Sequence, residues 1–109
     1  MALLLKERKE FFESISLGID TCTDPNRIST LRINMQCGSP AWARLTSRVA
    51  ERNEKKPKFT ITKEGALAEV EKLVEKVKFG YVNIVIRGGQ VVEVQEEFQI
   101  ELWGGGAKN

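Results

Sequence analysis

The chain contains no histidine, and its only cysteines are Cys22 and Cys37. Without histidine, no side chain has an ordinary pKa near neutral pH, which excludes a hydrolase triad and a histidine-bearing metal site. A cysteine nucleophile would lack its usual base, and two cysteines without histidine do not complete a zinc site. We therefore predict a protein that is not an enzyme and binds no metal or cofactor.

Long apolar runs are also missing. The opening leucines, residues 3–5, form too short a run for a signal peptide, and their charge follows rather than precedes them. No segment approaches the roughly 20 apolar residues of a membrane span. We expect a cytoplasmic protein with no membrane partner, in which both cysteines stay reduced.

Length and hydrophobic content indicate a single small domain. The chain has 109 residues, of which 41% are hydrophobic, and this is enough for one modest core. We predict a compact domain over residues 1–103 and a flexible tail at residues 104–109, where three glycines follow one another.

The clearest helical pattern lies between Thr62 and Gly80. Apolar residues recur there every three or four positions, from Leu67 to Val77, and charged residues fill the gaps. Thr62 is suited to cap the first turn, and Gly80 is suited to end the helix.

A β-hairpin is predicted after Gly80, because apolar and polar residues alternate on both sides of Gly88-Gly89. A two-residue turn would place Ile84 opposite Glu93, with charge facing the apolar side. We therefore favour a three-residue loop, residues 87–89, which places Ile84 opposite Val92.

Residues 78–94, KFGYVNIVIRGGQVVEV, resemble the core of the YezD-like family of small uncharacterised bacterial proteins. That family has a short helix, an aromatic-glycine step and a hairpin. The resemblance implies a helix–hairpin unit over residues 66–102 and implies no activity. The chain departs from the family pattern at Gly88, where the family often has aspartate, and again after Val94.

The first half of the chain is predicted to contain two more helices and a strand. Residues 2–16 have an apolar side, residues 28–37 alternate, and Ser39-Pro40 is a typical helix start for a helix reaching about residue 53. A short strand is expected at residues 59–61. The predicted fold is α+β, with three helices and a mostly antiparallel sheet of three or four strands that ends in a helix and a hairpin. The predicted core consists of Phe11, Ile15, Leu31, Ile33, Trp42, Leu45, Val49, Leu67, Val70, Val74, Ile84, Ile86, Val92 and Val94.

Positive charge is concentrated in the middle of the chain. Residues 21–60 contain eight basic and three acidic residues, a net charge of +5, whereas the whole chain carries +2. On the predicted helix, arginines spaced four apart would form a row that can contact successive phosphates. The candidate binding residues are Arg44, Arg48, Arg52, Lys55 and Lys56. The same pattern also fits a solvated helix face or a surface for an acidic protein partner.

The sequence therefore predicts a small non-catalytic binding protein, most concretely a nucleic-acid-binding regulator or accessory factor that uses a basic helix. No base-reading motif accompanies the basic row, so binding should be weakly sequence-specific. The alternative is a protein-binding adaptor or inhibitor, of the kind encoded by phages or mobile elements. It would act through the edge of its sheet, with the C-terminal hairpin as the candidate edge, or by self-association into a homodimer.

Overall fold

The computed structural model describes residues 5–51, 54 and 59–98. Within them the chain forms two helices and four strands in the order α1-β1-β2-α2-β3-β4. The helices are α1 (Leu5–Thr21) and α2 (Lys63–Lys76), and the strands are β1 (Arg27–Gln36), β2 (Ser39–Val49), β3 (Gly80–Arg87) and β4 (Gln90–Phe98). The α+β class is confirmed, and the prediction of three helices is wrong.

All four strands belong to one antiparallel sheet, in the spatial order β2-β1-β3-β4. Alternate residues of the two central strands are buried, among them Ile33 on β1 and Val82 and Ile84 on β3. Because side chains alternate across a strand, these residues share one face, and the helices cover that face. We call the opposite side, which no helix covers in the described part of the chain, the open face.

The core lies between the two helices and β1, β3 and the start of β4. Seven predicted core residues are buried: Ile15, Leu31, Ile33, Val70, Val74, Ile84 and Ile86. Four more are half-buried, namely Phe11, Leu67, Val92 and Val94. The prediction is wrong for Trp42, Leu45 and Val49, which are exposed on β2.

The helix predicted from Ser39 is a strand. β2 pairs with β1 in a hairpin whose two-residue turn is Cys37-Gly38, and both turn residues have positive φ, 52° and 78°. A turn of this kind matches the twist of paired strands, so the chain after Gly38 continues alongside β1. Pro40 is tolerated because it lies near the beginning of an edge strand.

Helix α1 runs to Thr21, past the end predicted at residue 16. Gly18 lies inside the helix and against β1, where an added Cβ would be 3.3 Å from Cδ2 of Leu31. Ile15 and Ile19, one helical turn apart on either side of Gly18, are both buried. The glycine therefore allows close packing of helix on strand.

Helix α2 begins as predicted, since the Oγ1 of Thr62 accepts a 3.0 Å hydrogen bond from the N–H of Gly65. It ends at Lys76, earlier than the predicted Gly80, and Val77 is extended and fully buried. The short strand predicted at residues 59–61 is reduced to one bridge, in which the N–H of Ile61 donates to the carbonyl of Val91 at 2.8 Å.

The second hairpin has a two-residue turn, Gly88-Gly89, so the predicted three-residue loop is wrong. The apolar residues nevertheless face one another, because Val92 is an extra residue on β4 that brings Ile84 opposite Val94. The first hairpin has an extra residue, Ala41, at the equivalent place on β2. The chain thus contains two helix–hairpin units, the first formed by α1, β1 and β2 and the second by α2, β3 and β4. The two units show no repeat in their sequences.

Candidate functional site

The open face of the sheet contains a shallow concavity of about 620 Å³. Its wall includes Arg32, Trp42, Arg44, Tyr81, Asn83 and Gln95, contributed by all four strands. Each of these residues lies one position away from a residue that points to the helices, so strand alternation alone places them on the open face.

Two aromatic side chains form one end of the concavity. Trp42 and Tyr81 lie on either side of Asn34, each being its direct partner across the strands. Their rings meet edge to face, with centroids 6.1 Å apart. Trp42 is 41% exposed, so part of this residue is accessible from solvent.

Asn34 is buried at the base of this aromatic pair. Its Nδ2 donates a 3.4 Å hydrogen bond to the carbonyl of Gly80, and its Oδ1 has no hydrogen-bond partner among the described residues. The side chain of Asn34 thus connects β1 to the first residue of β3 beneath the two rings.

Two arginines lie beside the aromatic residues and directly opposite each other on β1 and β2. The guanidinium of Arg32 lies 3.7 Å from the ring centroid of Tyr81, and that of Arg44 lies 5.1 Å from the ring centroid of Trp42. Like charges in directly opposite positions destabilise a sheet, because their Cβ atoms are only about 5 Å apart. An anion bound between the two guanidinium groups would relieve that repulsion.

The two arginines differ in how their charge is compensated. The Nη2 of Arg32 donates to both carboxylate oxygens of Glu97, at 3.2 and 3.4 Å. Arg44 has no ion pair with any residue that the structure describes. Arg44 is therefore the more available cation for an external anion.

Arg48 also lies on the open face, but its charge is neutralised within the chain. Its two terminal nitrogens donate to the two carboxylate oxygens of Glu54 at 2.7 and 2.9 Å, and the N–H of Glu51 donates to the same carboxylate at 2.7 Å. The hydrogen bond from Arg48 is the largest influence that lowers the pKa of Glu54 to about 2, and the one from Glu51 adds to it. Arg48 is consequently a weaker candidate for binding than Arg44.

Charge divides the open face into two halves. Strands β1 and β2 contribute Arg32, Arg44 and Arg48, whereas the edge strand β4 contributes Glu93 and Glu97. Because Arg32 pairs with Glu97 and Arg48 pairs with Glu54, a polyanion would be attracted chiefly to Arg44 in the β1–β2 half. The concavity is therefore lined by basic and aromatic residues, and the two glutamates lie outside it on β4.

The predicted binding residues are thus divided. The structure brings Arg44 and Arg48 onto the open face of a strand, where four residues span about 13 Å, rather than onto a helix. Arg52, Lys55 and Lys56 lie outside the described residues.

Sequence reasoning missed Arg32, Trp42 and Tyr81 as site residues. A signal for Trp42 was present, because Trp42, Arg44, Thr46 and Arg48 alternate with Ala43, Leu45, Ser47 and Val49.

Other kinds of site find little support in the described residues. They hold no group of three or more cysteine and carboxylate side chains that could bind a metal ion. They also include no helix of sufficient length and apolarity to cross a membrane.

No family model, curated protein or solved structure matches the chain. The resemblance of residues 66–102 to the YezD-like family therefore stays a prediction, and residues 99–102 of that unit lie outside the described part.

Proposed function

We propose that the chain binds single-stranded nucleic acid on the open face of its sheet, as a regulator or accessory factor. The observation that carries the proposal is the pair Arg32 and Arg44, opposite each other and each beside an aromatic ring. Guanidinium groups suit phosphate oxygens, and the exposed ring of Trp42 suits an unstacked base.

A single strand fits this surface better than a duplex. The concavity is broad and shallow, and it presents no helix or projecting ribbon that could enter a major groove. Stacking on Trp42 requires a base that is already free of its neighbours, as in a single strand. Because every base has a flat face, such binding would discriminate weakly between sequences.

The number of phosphate contacts sets the expected salt dependence. With Arg32 and Arg44 each contacting one phosphate, the slope of log affinity against log salt is about −1.4 for a single strand. Raising the salt concentration from 50 to 200 mM should then weaken binding roughly sevenfold.

The test is fluorescence anisotropy with labelled mixed-sequence DNA and RNA strands of about 12 nucleotides, a length within the range covered by comparable surfaces. Trp42→Ala should weaken binding by about 5- to 150-fold, the range expected for loss of one stacked base. The matched control is Phe98→Ala, which removes an exposed aromatic ring from the helix side of β4. Arg44→Gln should reduce the salt slope by about 0.7.

Arg8→Gln is the charge-matched control, because Arg8 lies on α1 and pairs with Glu71 of α2, away from the open face. All variants are compared after circular dichroism has shown that they are folded. Absence of binding by the wild-type protein at micromolar concentration would refute the proposal. Equal losses in Arg44→Gln and Arg8→Gln would refute the assignment to the open face.

A second candidate function, a protein-binding adaptor or inhibitor, is supported by a different observation. Leu45 and Val49 of the edge strand β2 are exposed, 41% and 64% respectively, on the side of the sheet that elsewhere forms the core. An added strand would pair with the backbone of β2 and could place apolar side chains beside them. Binding of that kind should persist at moderate salt, which distinguishes it from binding to nucleic acid.

A further inference from the structure

Strand β2 is an edge strand that the rest of the described chain leaves uncovered. It is 11 residues long, about twice the usual length of a strand, and every residue from Ala41 to Val49 is exposed. The other edge, β4, is better protected, because Ile61 bridges to it and Glu93 and Glu97 add negative charge. The two edges of the sheet are therefore not equivalent.

The backbone of β2 presents a regular row of hydrogen-bonding groups to solvent. The N–H of Ala50 donates to the carbonyl of Asn26 at 2.8 Å. Because backbone groups alternate in direction along a strand, this bond shows which residues of β2 bond to β1 and which point away from it. Counting back from Ala50 as far as the extra residue Ala41, the even-numbered residues from Arg48 to Trp42 direct their backbone groups toward β1. Ala43, Leu45, Ser47 and Val49 direct theirs outward, where another strand can bind them.

We infer that β2 pairs with β2 of a second copy of this chain, antiparallel and centred on Leu45, to give a continuous eight-stranded sheet. Leu45 is the midpoint of the exposed stretch from Ala41 to Val49. Its N–H and carbonyl point outward, so on a two-fold axis the two copies of Leu45 can exchange a pair of backbone hydrogen bonds.

The side chains of β2 are self-complementary in this register. On the helix side, Leu45 lies opposite Leu45 of the second copy, and Ala43 lies opposite Ser47. On the open face, Trp42 lies opposite Arg48 of the second copy, where a cation–π contact can form. No arginine is opposite an arginine, and each Leu45, which is 41% exposed in one chain, gains an apolar neighbour across the two-fold axis.

Charge predicts how this dimer responds to salt. The register brings Arg44 of both copies near the two-fold axis, where their repulsion opposes association. Because salt screens that repulsion, dimerisation should strengthen as the salt concentration rises. Binding of nucleic acid should weaken over the same range, so the two processes can be separated.

Sedimentation equilibrium from low micromolar to submillimolar protein tests the inference. The wild type should convert from monomer to dimer. Leu45→Lys should remain monomeric, because an inward charge on an edge strand blocks pairing. Leu17→Lys is the matched control, since Leu17 is 68% exposed on α1, and it should dimerise like the wild type. A wild type that stays monomeric, a dimer that survives Leu45→Lys, or assembly that continues beyond the dimer would overturn the inference.

Amide hydrogen exchange of the wild-type protein provides a test that needs no variant. The amides of Ala43, Leu45 and Ser47 should be protected at high protein concentration and should lose protection on dilution. Those of Arg44 and Thr46, which bond to β1, should be protected throughout. Outward amides that exchange rapidly in the concentrated protein would show that β2 is not the interface.

Discussion

The helices cover only one face of β3, and this can be tested with the same substitution, valine to alanine, on each face of the strand. Val82 is fully buried beneath the helices, whereas Val85 points to the open face and is only half-buried. Changing each valine to alanine removes the same two methyl groups from the same strand. The two variants therefore differ only in the face that loses them.

The expected losses follow from burial. For Val82→Ala the lost transfer free energy is about 1.6 kcal/mol, at about 0.8 kcal/mol for each buried carbon. The cavity left in the core raises the total to roughly 2–3 kcal/mol. For Val85→Ala we expect less than about 1 kcal/mol, which reflects strand propensity and partial burial.

Urea denaturation followed by circular dichroism measures both values. At an unchanged m-value, Val82→Ala should lower the midpoint by about 1–2 M, and the Tm should fall by about 8–20 °C. Low protein concentration keeps self-association from contributing to stability. Equal losses in the two variants, or a larger loss in Val85→Ala, would refute the argument that the helices cover one face only.

Two further outcomes concern single contacts. In an NMR titration, the carboxyl of Glu54 should titrate at about 2, and Arg48→Ala should raise its pKa toward 4.5. The pKa of Glu54 is lower in the folded chain than in the unfolded chain. This pair therefore stabilises the fold above pH 4.5, and its contribution disappears as the pH falls toward 2. A pKa near 4.5 for Glu54 in the wild-type protein would contradict the pairing. Thr62→Ala should lower the free energy of unfolding by about 0.5–2 kcal/mol, whereas Thr62→Ser should leave it nearly unchanged, because serine can also cap the helix. An alanine variant with the same free energy of unfolding as the wild type would show that the cap contributes nothing.

Local patterns in the sequence predict the second helix–hairpin unit well. The cap at Thr62 and the apolar stripe from Leu67 predict where α2 begins, although the helix ends at Lys76 rather than at Gly80, and the alternation after Gly80 predicts β3 and β4. The turn was mispredicted because the extra residue Val92 restores the apolar register after a tight turn. Such an irregularity has no signature of its own in one sequence.

The first unit was mispredicted because two local signals conflict. Ser39-Pro40 resembles a helix start, and Trp42, Leu45 and Val49 have helical spacing. Pairing with β1 after the Cys37-Gly38 turn outweighs that preference, because β1 supplies hydrogen-bond partners along most of β2. The basic row was therefore placed on the wrong element, although Arg44 and Arg48 do share one side of it.

The repeat of one helix–hairpin unit has a consequence for folding. The sheet is continuous only through β1 and β3, whose paired residues, such as Ile28 with Arg87, lie far apart along the chain. Either unit alone offers two strands and one helix, and the buried residues of both units form one shared core. Folding must therefore wait for the two halves to meet, and this late, non-local step should slow it. Once β1 has paired with β3, the two halves form one cooperative unit, because neither half can unfold without exposing the core of the other.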